Sequence, residues 1–180
     1  MQELTRWGSR KVRTTFTNPQ RCIAGTIGQP GEREFFIQVK SDNRVASVAI
    51  EKSQVQAIAG RLEMMIAEVK KSNPLIAIEA VAKDDAPLET PVDEEFQVGA
   101  ISLAWDDEKH LITLELYELE DDEEDAEGGV LEIHISLAMA IAFVARSKAV
   151  VNAGRLPCPF CGIPIDPRGH LCPRANGYRR

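Results

Sequence analysis

No run of apolar residues in this 180-residue chain reaches the roughly 18 needed to span a bilayer. The first residues, MQELTRWGSRKVR, lack the apolar stretch of a secretory signal. Both absences point to a cytoplasmic protein with no membrane association. Also missing are a Gly-rich phosphate loop, a nucleophile elbow and the His-Glu-x-x-His pattern of zinc proteases. No familiar enzyme chemistry announces itself, and Gly25-Thr26-Ile27-Gly28 reads only as a strand end. The composition excludes collagen, coiled coil and wholesale disorder, while 44% apolar residues suffice for a real core. The length suits one ordinary domain plus a small module.

Positive charge is scarce through most of the chain but not at its ends. Lys and Arg number 21 against 28 Asp and Glu, a net charge of −7. Residues 1–21 hold five bases and one acid, and residues 155–180 hold the same, so each end carries +4 and residues 22–154 carry −15. An acidic body thus wears two basic ends.

Cysteine is sparse too, yet three of the four fall close together: Cys158, Cys161 and Cys172, with Cys22 standing apart. In a reducing compartment such a cluster is expected to bind metal rather than form bridges. Cys158 and Cys161 make a Cys-x-x-Cys knuckle stiffened by Pro157 and Pro159, and Gly162 permits the positive φ of a tight turn. His170 and Cys172 follow after eight residues. The set of three thiolates and one imidazole favours structural zinc, a closed tetrahedral site. Two alternatives stay open: Asp166 in place of His170, or His170 turned to solvent with a water completing a Lewis-acid centre. A redox Cys-x-x-Cys is disfavoured because Gly162, Pro164 and Pro167 forbid a helix directly after it.

Along the chain, residues 1–20 are mixed and basic, with Trp7 and Phe16 as anchors and a turn at Asn18-Pro19. Three strand-like runs follow at Arg21–Ile27, Glu34–Lys40 and Arg44–Ile50, spaced as an antiparallel meander. Val55, Ile58, Leu62, Met65, Ile66 and Val69 then recur at helical spacing, predicting a helix from about Lys52 to Lys71 that halts at Asn73-Pro74. Residues 75–81 fit a strand or a helix extension, and residues 83–95, with two prolines and excess acid, read as a linker. Strands are expected again at Phe96–Trp105, His110–Leu119 and Val130–Ile135, with a turn at Asp106-Asp107-Glu108. A second helix is predicted from about Leu137 to Asn152, with Leu137, Ile141, Val144 and Val151 on one side and alanines on the other.

The halves match in more than element order. Residues 48–61 align without gaps on residues 133–146, placing Ile50 on Ile135, Val55 on Ala140, Ile58 on Phe143, Ala59 on Val144 and Arg61 on Arg146. The expectation is an α+β fold of two pseudo-repeated βββα units, about 21–72 and 96–154, within a body of residues 1–154, plus a zinc-binding tail of residues 155–180. The helices lie on two separate sheets or on one side of a single larger sheet.

Eight of the ten residues in Glu118–Glu127 are acidic, which predicts a solvated hairpin loop ending at Gly128-Gly129, either a solubilising insertion or a docking strip for a basic partner. His110 and His134 fall on predicted strands near Glu115 and Glu132, a combination that can form an acid/base pair but more often marks ordinary strand residues. Beside the knuckle, Arg174, Asn176, Tyr178, Arg179 and Arg180 make a basic, partly aromatic tail suited to phosphate, carboxylate or single strands, or to folding back on the acidic body. A charge of +4 is small for nucleic acid, and a body of −15 repels its backbone, so a protein partner is the expectation.

The tail CPFCGIPIDPRGHLCPRANGYRR resembles the C-terminal signature of an actinobacterial family, a domain of unknown function ending in a zinc-ribbon-like motif. RCIAGTIGQPGEREFFIQVK, VASVAIEKSQV, EEFQVGAISLAWD and the second helix carry the same resemblance, which leaves out the N-terminal dozen residues and the acidic loop. It implies Cys158, Cys161, His170 and Cys172 as metal ligands and Asn176 to Arg180 as part of the same motif, and it implies no activity. The sequence therefore reads as a zinc-binding adaptor, with a zinc-dependent or His-based hydrolase and a nucleic-acid-associated zinc protein as alternatives.

Overall fold

The computed structural model describes residues 12–120, 128–165 and 169–174. Its first element, β1 (Val12–Thr17), lies in a stretch where the sequence pattern signalled no strand. Turn residues then cut the next thirty positions into β2 (Arg21–Ile27), β3 (Glu34–Ser41) and β4 (Arg44–Ile50). Gly28 and Gly31 adopt φ of +95° and +104° between β2 and β3, and Asp42 adopts +51° between β3 and β4.

The chain leaves β4 into α1 (Lys52–Ser72), where the Glu51 N–H donates to Gln54 Oε1 at 2.9 Å. Gln54 also donates from Nε2 to the carbonyls of Val98 and Gly99 at 3.2 and 2.9 Å. One side chain thus fixes both the start of the helix and a bend in β5 (Glu94–Asp106). β5 shifts register between Val98 and Ile101, and a Cβ at Gly99 would lie 2.8 Å from the Leu119 Cα. β6 (Leu111–Glu118), β7 (Gly129–Ser136) and α2 (Leu137–Asn152) complete the fold, with Ser136 Oγ accepting from the Met139 N–H at the helix start.

All seven strands join one mixed sheet in the order β1-β7-β6-β5-β4-β3-β2, parallel only at β1/β7 and β4/β5. Between the one-sheet and two-sheet arrangements, the larger single sheet is found. Its two edges, β1 and β2, are consecutive in the chain. A flat sheet of seven strands would hold those edges about 29 Å apart at a spacing of about 4.8 Å, but residues 18–20 span at most about 14 Å. The sheet therefore curls. Arg44 of β4 reaches to 4.6 Å from the Phe16 ring of β1, and the Asn18 N–H bonds the His134 carbonyl at 2.9 Å.

Both helices pack in one core with one face of this sheet. The α1 residues of the predicted stripe are all buried, and they meet Ile37, Val39 and Val48 together with Ile112, Leu114, Leu116, Leu131, Ile133 and Ile135. In α2 the buried side is Leu137, Ala140, Phe143, Val144, Ser147 and Val151. Ile141, expected there, is exposed instead, because α2 lies against both α1 and β2 and this rotates Ala140 and Phe143 inward. His110 is likewise not in a strand: it ends the β5–β6 turn at φ +54°, stacked on Trp105 with ring centroids 6.1 Å apart, and β6 begins one residue later.

Residues 75–81 are neither strand nor helix; Ile76 and Ile78 pack on the main core from an extended segment. The supposed linker after them is tied down as a strap over the other sheet face. Arg21 grips Asp84 through Nε and Nη2 at 2.5 and 2.9 Å, while Arg146 donates to the carbonyls of Asp84, Ala86 and, on the edge strand, Ala24. Beside Arg21 and Arg146, the Asp84 carboxyl is held below its ordinary pKa chiefly by the Arg21 hydrogen bond. Gln38 then exchanges two hydrogen bonds with the Glu89 backbone at 3.1 and 2.8 Å. Between these fastenings Leu88 closes a second small core with Ile23, Phe36 and Ala49.

Gly25 leaves the space that Leu88 fills, since a Cβ there would meet the Leu88 Cγ at 2.6 Å. Gly25→Ala is expected to destabilise by about 1–3 kcal/mol through overpacking. In urea denaturation the double variant with Leu88→Ala should cost less than the two single costs added, by about 0.5 kcal/mol or more. Strictly additive costs would show that the two residues do not share that space.

Candidate metal centre

The tail folds as a small hairpin beyond α2. The Ile165 N–H donates to the Leu156 carbonyl at 2.9 Å and the Cys158 N–H to the Ile163 carbonyl at 2.8 Å, with Pro157 bridged to Pro164. At its tip the Gly162 N–H donates to the Cys158 carbonyl at 2.8 Å, and Gly162 takes φ +76°, a conformation that glycine adopts without a Cβ clash. Proline at 157, 159 and 164 limits the ways this short segment can close. Among the described residues, none of those after the Cys-x-x-Cys pair is helical, in keeping with Gly162 and Pro164.

This hairpin brings Cys158 and Cys161 up to His170 and Cys172, and the four donor atoms all lie within 4.8 Å of one another. Cys158 Sγ and Cys172 Sγ are 3.8 Å apart, and Cys161 Sγ lies 3.3 Å from His170 Nε2. A tetrahedral ion with metal–sulfur bonds of about 2.3 Å separates its sulfurs by about 3.8 Å. The donor set therefore fits, and the group could hold a metal ion. All four cysteines are free of disulfides, and Cys158 and Cys172 are buried.

Local hydrogen bonding differs between the knuckle thiols. Burial pushes the Cys158 thiol up, but the backbone N–H groups of Phe160 and Cys161 and the neighbouring thiols outweigh it and hold Cys158 below its ordinary pKa. The N–H of Ile163 favours the Cys161 thiolate, yet burial and the adjacent Cys172 and Cys158 sulfurs keep Cys161 above its ordinary value. N–H groups aimed at both sulfurs are the arrangement that stabilises metal-bound thiolates. Cys22 differs: deep in the main core, it is pushed up to about 12 by burial alone.

Of the expected partner-binding residues, Arg174 is placed against the knuckle, with Nη1 3.2 Å from the Phe160 carbonyl. Asn176, Tyr178, Arg179 and Arg180 lie outside the described residues, as do Asp166 and most of the acidic run. At the stem of that run, Glu118 Oε2 accepts from the Gly129 N–H at 2.6 Å.

A second polar cluster sits on the sheet face away from the helices. His134 Nε2 lies 2.6 Å from Glu132 Oε1, and its Nδ1 lies 3.0 Å from Thr113 Oγ1. Glu132 and Glu115 are cross-strand partners, and Arg13 of β1 donates to both carboxylates, at 2.7 Å in the case of Glu115. The Arg13 hydrogen bond is the main reason that Glu115 lies below its ordinary pKa, and Tyr117 adds a bond at 2.9 Å. The structure thus joins His134, Glu132 and Glu115 and leaves His110 apart. Sequence reasoning missed Arg13, Thr113 and Tyr117. Thr113 and Tyr117 hold alternating positions of a predicted strand, but Arg13 lies where the sequence signals none, and the register that aligns the three strands is not visible in the chain.

A seven-stranded α+β domain carrying a cluster of three cysteines and one histidine is the class these features define. The sequence profile of the family described as "Protein of unknown function (DUF3090)" matches residues 14–172, and the chain belongs to that family. No curated protein and no solved structure matches it.

In metal-loaded protein at pH 8 a thiol reagent should find no reactive cysteine. A chelator should release the knuckle thiols Cys158, Cys161 and Cys172, and only denaturant should expose Cys22. Reaction of Cys22 on chelation alone would contradict its place in the core.

Proposed function

We propose that this protein is a cytoplasmic, non-enzymatic adaptor whose residues 155–180 form a structural zinc knuckle that presents a basic tail to a protein partner. The observation that carries the reading is the convergence of Cys158, Cys161, His170 and Cys172 within 4.8 Å. Zinc is favoured because it takes mixed thiolate and imidazole ligands tetrahedrally, and a shell closed by four protein donors leaves no position for substrate. Support for a non-membrane role is that no helix among the described residues is long and apolar enough to cross a bilayer. The body, residues 1–154, is read as a duplicated βββα unit: β2-β3-β4-α1 and β5-β6-β7-α2 follow one another along the sheet, joined by the parallel pairing of β4 with β5.

Purified protein should carry close to one zinc, with an absorption spectrum of three sulfurs and one nitrogen, and Cys158→Ser should make the tail protease-sensitive while the body stays folded. A content under about half an equivalent, with no effect of Cys158→Ser, would refute the structural site. A bound water in that spectrum would favour zinc catalysis instead. Capture of a partner from the native cytosol should be lost when the chain ends at residue 154; undiminished capture would refute the adaptor reading.

A second reading, a His-based hydrolase, is favoured by the order Thr113 hydroxyl, His134 imidazole, Glu132 carboxylate, linked at 3.0 and 2.6 Å. In this order a carboxylate orients the imidazole that accepts the hydroxyl proton. With p-nitrophenyl acetate, His134→Asn should lower hydrolysis by about 100-fold or more. Equal rates in the two proteins would remove this reading.

A further inference from the structure

The knuckle buries two of its three sulfurs and exposes its hydrocarbon. Cys158 and Cys172 are nearly inaccessible, whereas Leu156, Phe160, Ile163 and Leu171 are 77%, 63%, 49% and 87% exposed. The physical reason is size. A segment this short, organised around four donor atoms, has no interior left for large side chains, so they point to solvent. The exposed large apolar residues of the body, such as Val12, Ile27, Met64, Leu75 and Leu119, are spread along the chain, whereas those of the knuckle fall within residues 156–171. Four large apolar residues concentrated on one small module are the mark of a contact surface rather than of scattered surface residues.

That surface has a definite electrical setting. Residues 155–180 hold five bases and one acid, against a body of −15. Arg174, bonded to the Phe160 carbonyl, keeps one of those charges against the knuckle. Three of the four exposed side chains are aliphatic, which suits leucine-like partners and offers no series of rings for stacked bases. The acidic body opposes any polyanionic backbone or anionic bilayer lying across the whole molecule.

We propose that the exposed apolar surface of the knuckle docks an acidic polypeptide segment bearing large apolar side chains, with Phe160 and Leu171 as the anchors and Arg174 favouring a partner of negative charge. This rests on the knuckle being held by metal, since without that staple the hairpin has no core to hold the four residues in place. The contact is mixed, apolar at its centre and ionic at its rim, as compact protein interfaces are.

The test pans a random 12-residue peptide display library against the full-length zinc-loaded protein and measures the best binder by fluorescence polarisation. Enriched peptides should be net negative with at least two Leu, Ile, Met or Phe. Their affinity should fall about 10-fold or more in Phe160→Ser and in Leu171→Ser, and should weaken as salt rises. Zinc content and melting temperature of both variants, unchanged, separate lost contact from lost folding. No enrichment, enrichment of basic peptides, or full affinity in both variants would overturn the proposal. So would Phe160-dependent self-association in sedimentation, which would assign the face to a second copy, or Phe160-dependent binding to phosphatidylserine vesicles, which would assign it to a membrane. Undiminished peptide affinity after the metal is stripped would overturn the metal-held knuckle while leaving the docking face in place. Absent enrichment on protein that retains its zinc would do the reverse.

Discussion

Three residues between β1 and β2 constrain the whole molecule. They join the two edges of a seven-stranded sheet, so the sheet cannot lie flat, and its curl supplies the hollow in which α1 and α2 pack together. β5 makes the curl feasible. It is long enough to pair with β4 near its start and with β6 along the rest, and it shifts register between Val98 and Ile101 where the two pairings meet. Gln54 on α1 bonds the carbonyls at that bend, so the helix and the curvature of the sheet stabilise each other. With α2 lying against β2, Arg146 satisfies an edge carbonyl of Ala24 and at the same time anchors the strap on the opposite face.

Much of this was legible in the chain because the signals were local. Arg21–Ile27, Arg44–Ile50 and Leu137–Asn152 appear with the boundaries that their flanking turn and stop residues imply, and the α1 stripe is buried throughout. Less legible were the elements whose reason lies elsewhere in the fold. β1 is a strand because β7 offers it an edge, and its own sequence of threonines around Phe16 carries little pattern. Residues 83–95 look like a linker by composition, since Leu88 is their one strong apolar signal and its complement, Gly25, lies some sixty residues away. Ile141 looks like a core residue on hydropathy, but which side of an Ala-rich helix turns inward depends on the surfaces it meets.

The two polar sites divide along the same line. In the knuckle, thiols, imidazole, prolines and Gly162 sit within sixteen residues, so their spacing in the chain approximates their spacing in space. The Thr113–His134–Glu132 cluster and its Arg13 bridge come from three strands brought together by register, and a shift of one residue in any strand would separate them. Spacing alone had put His110 and His134 on an equal footing; the turn before Leu111 sends His110 to Trp105 instead.

By itself the sequence determined the class, the helices, most of the strands and the four residues that converge at the knuckle, because turn chemistry, periodicity and ligand spacing act over a few residues. Only the tertiary structure decided that the strands form one curled sheet, that an apparent linker is a fastened strap, that His134 rather than His110 gains a carboxylate, and that the knuckle turns its large apolar side chains outward. Each of those outcomes depends on which distant segments share a surface, and that is set by the closure of the whole chain rather than by any stretch of it.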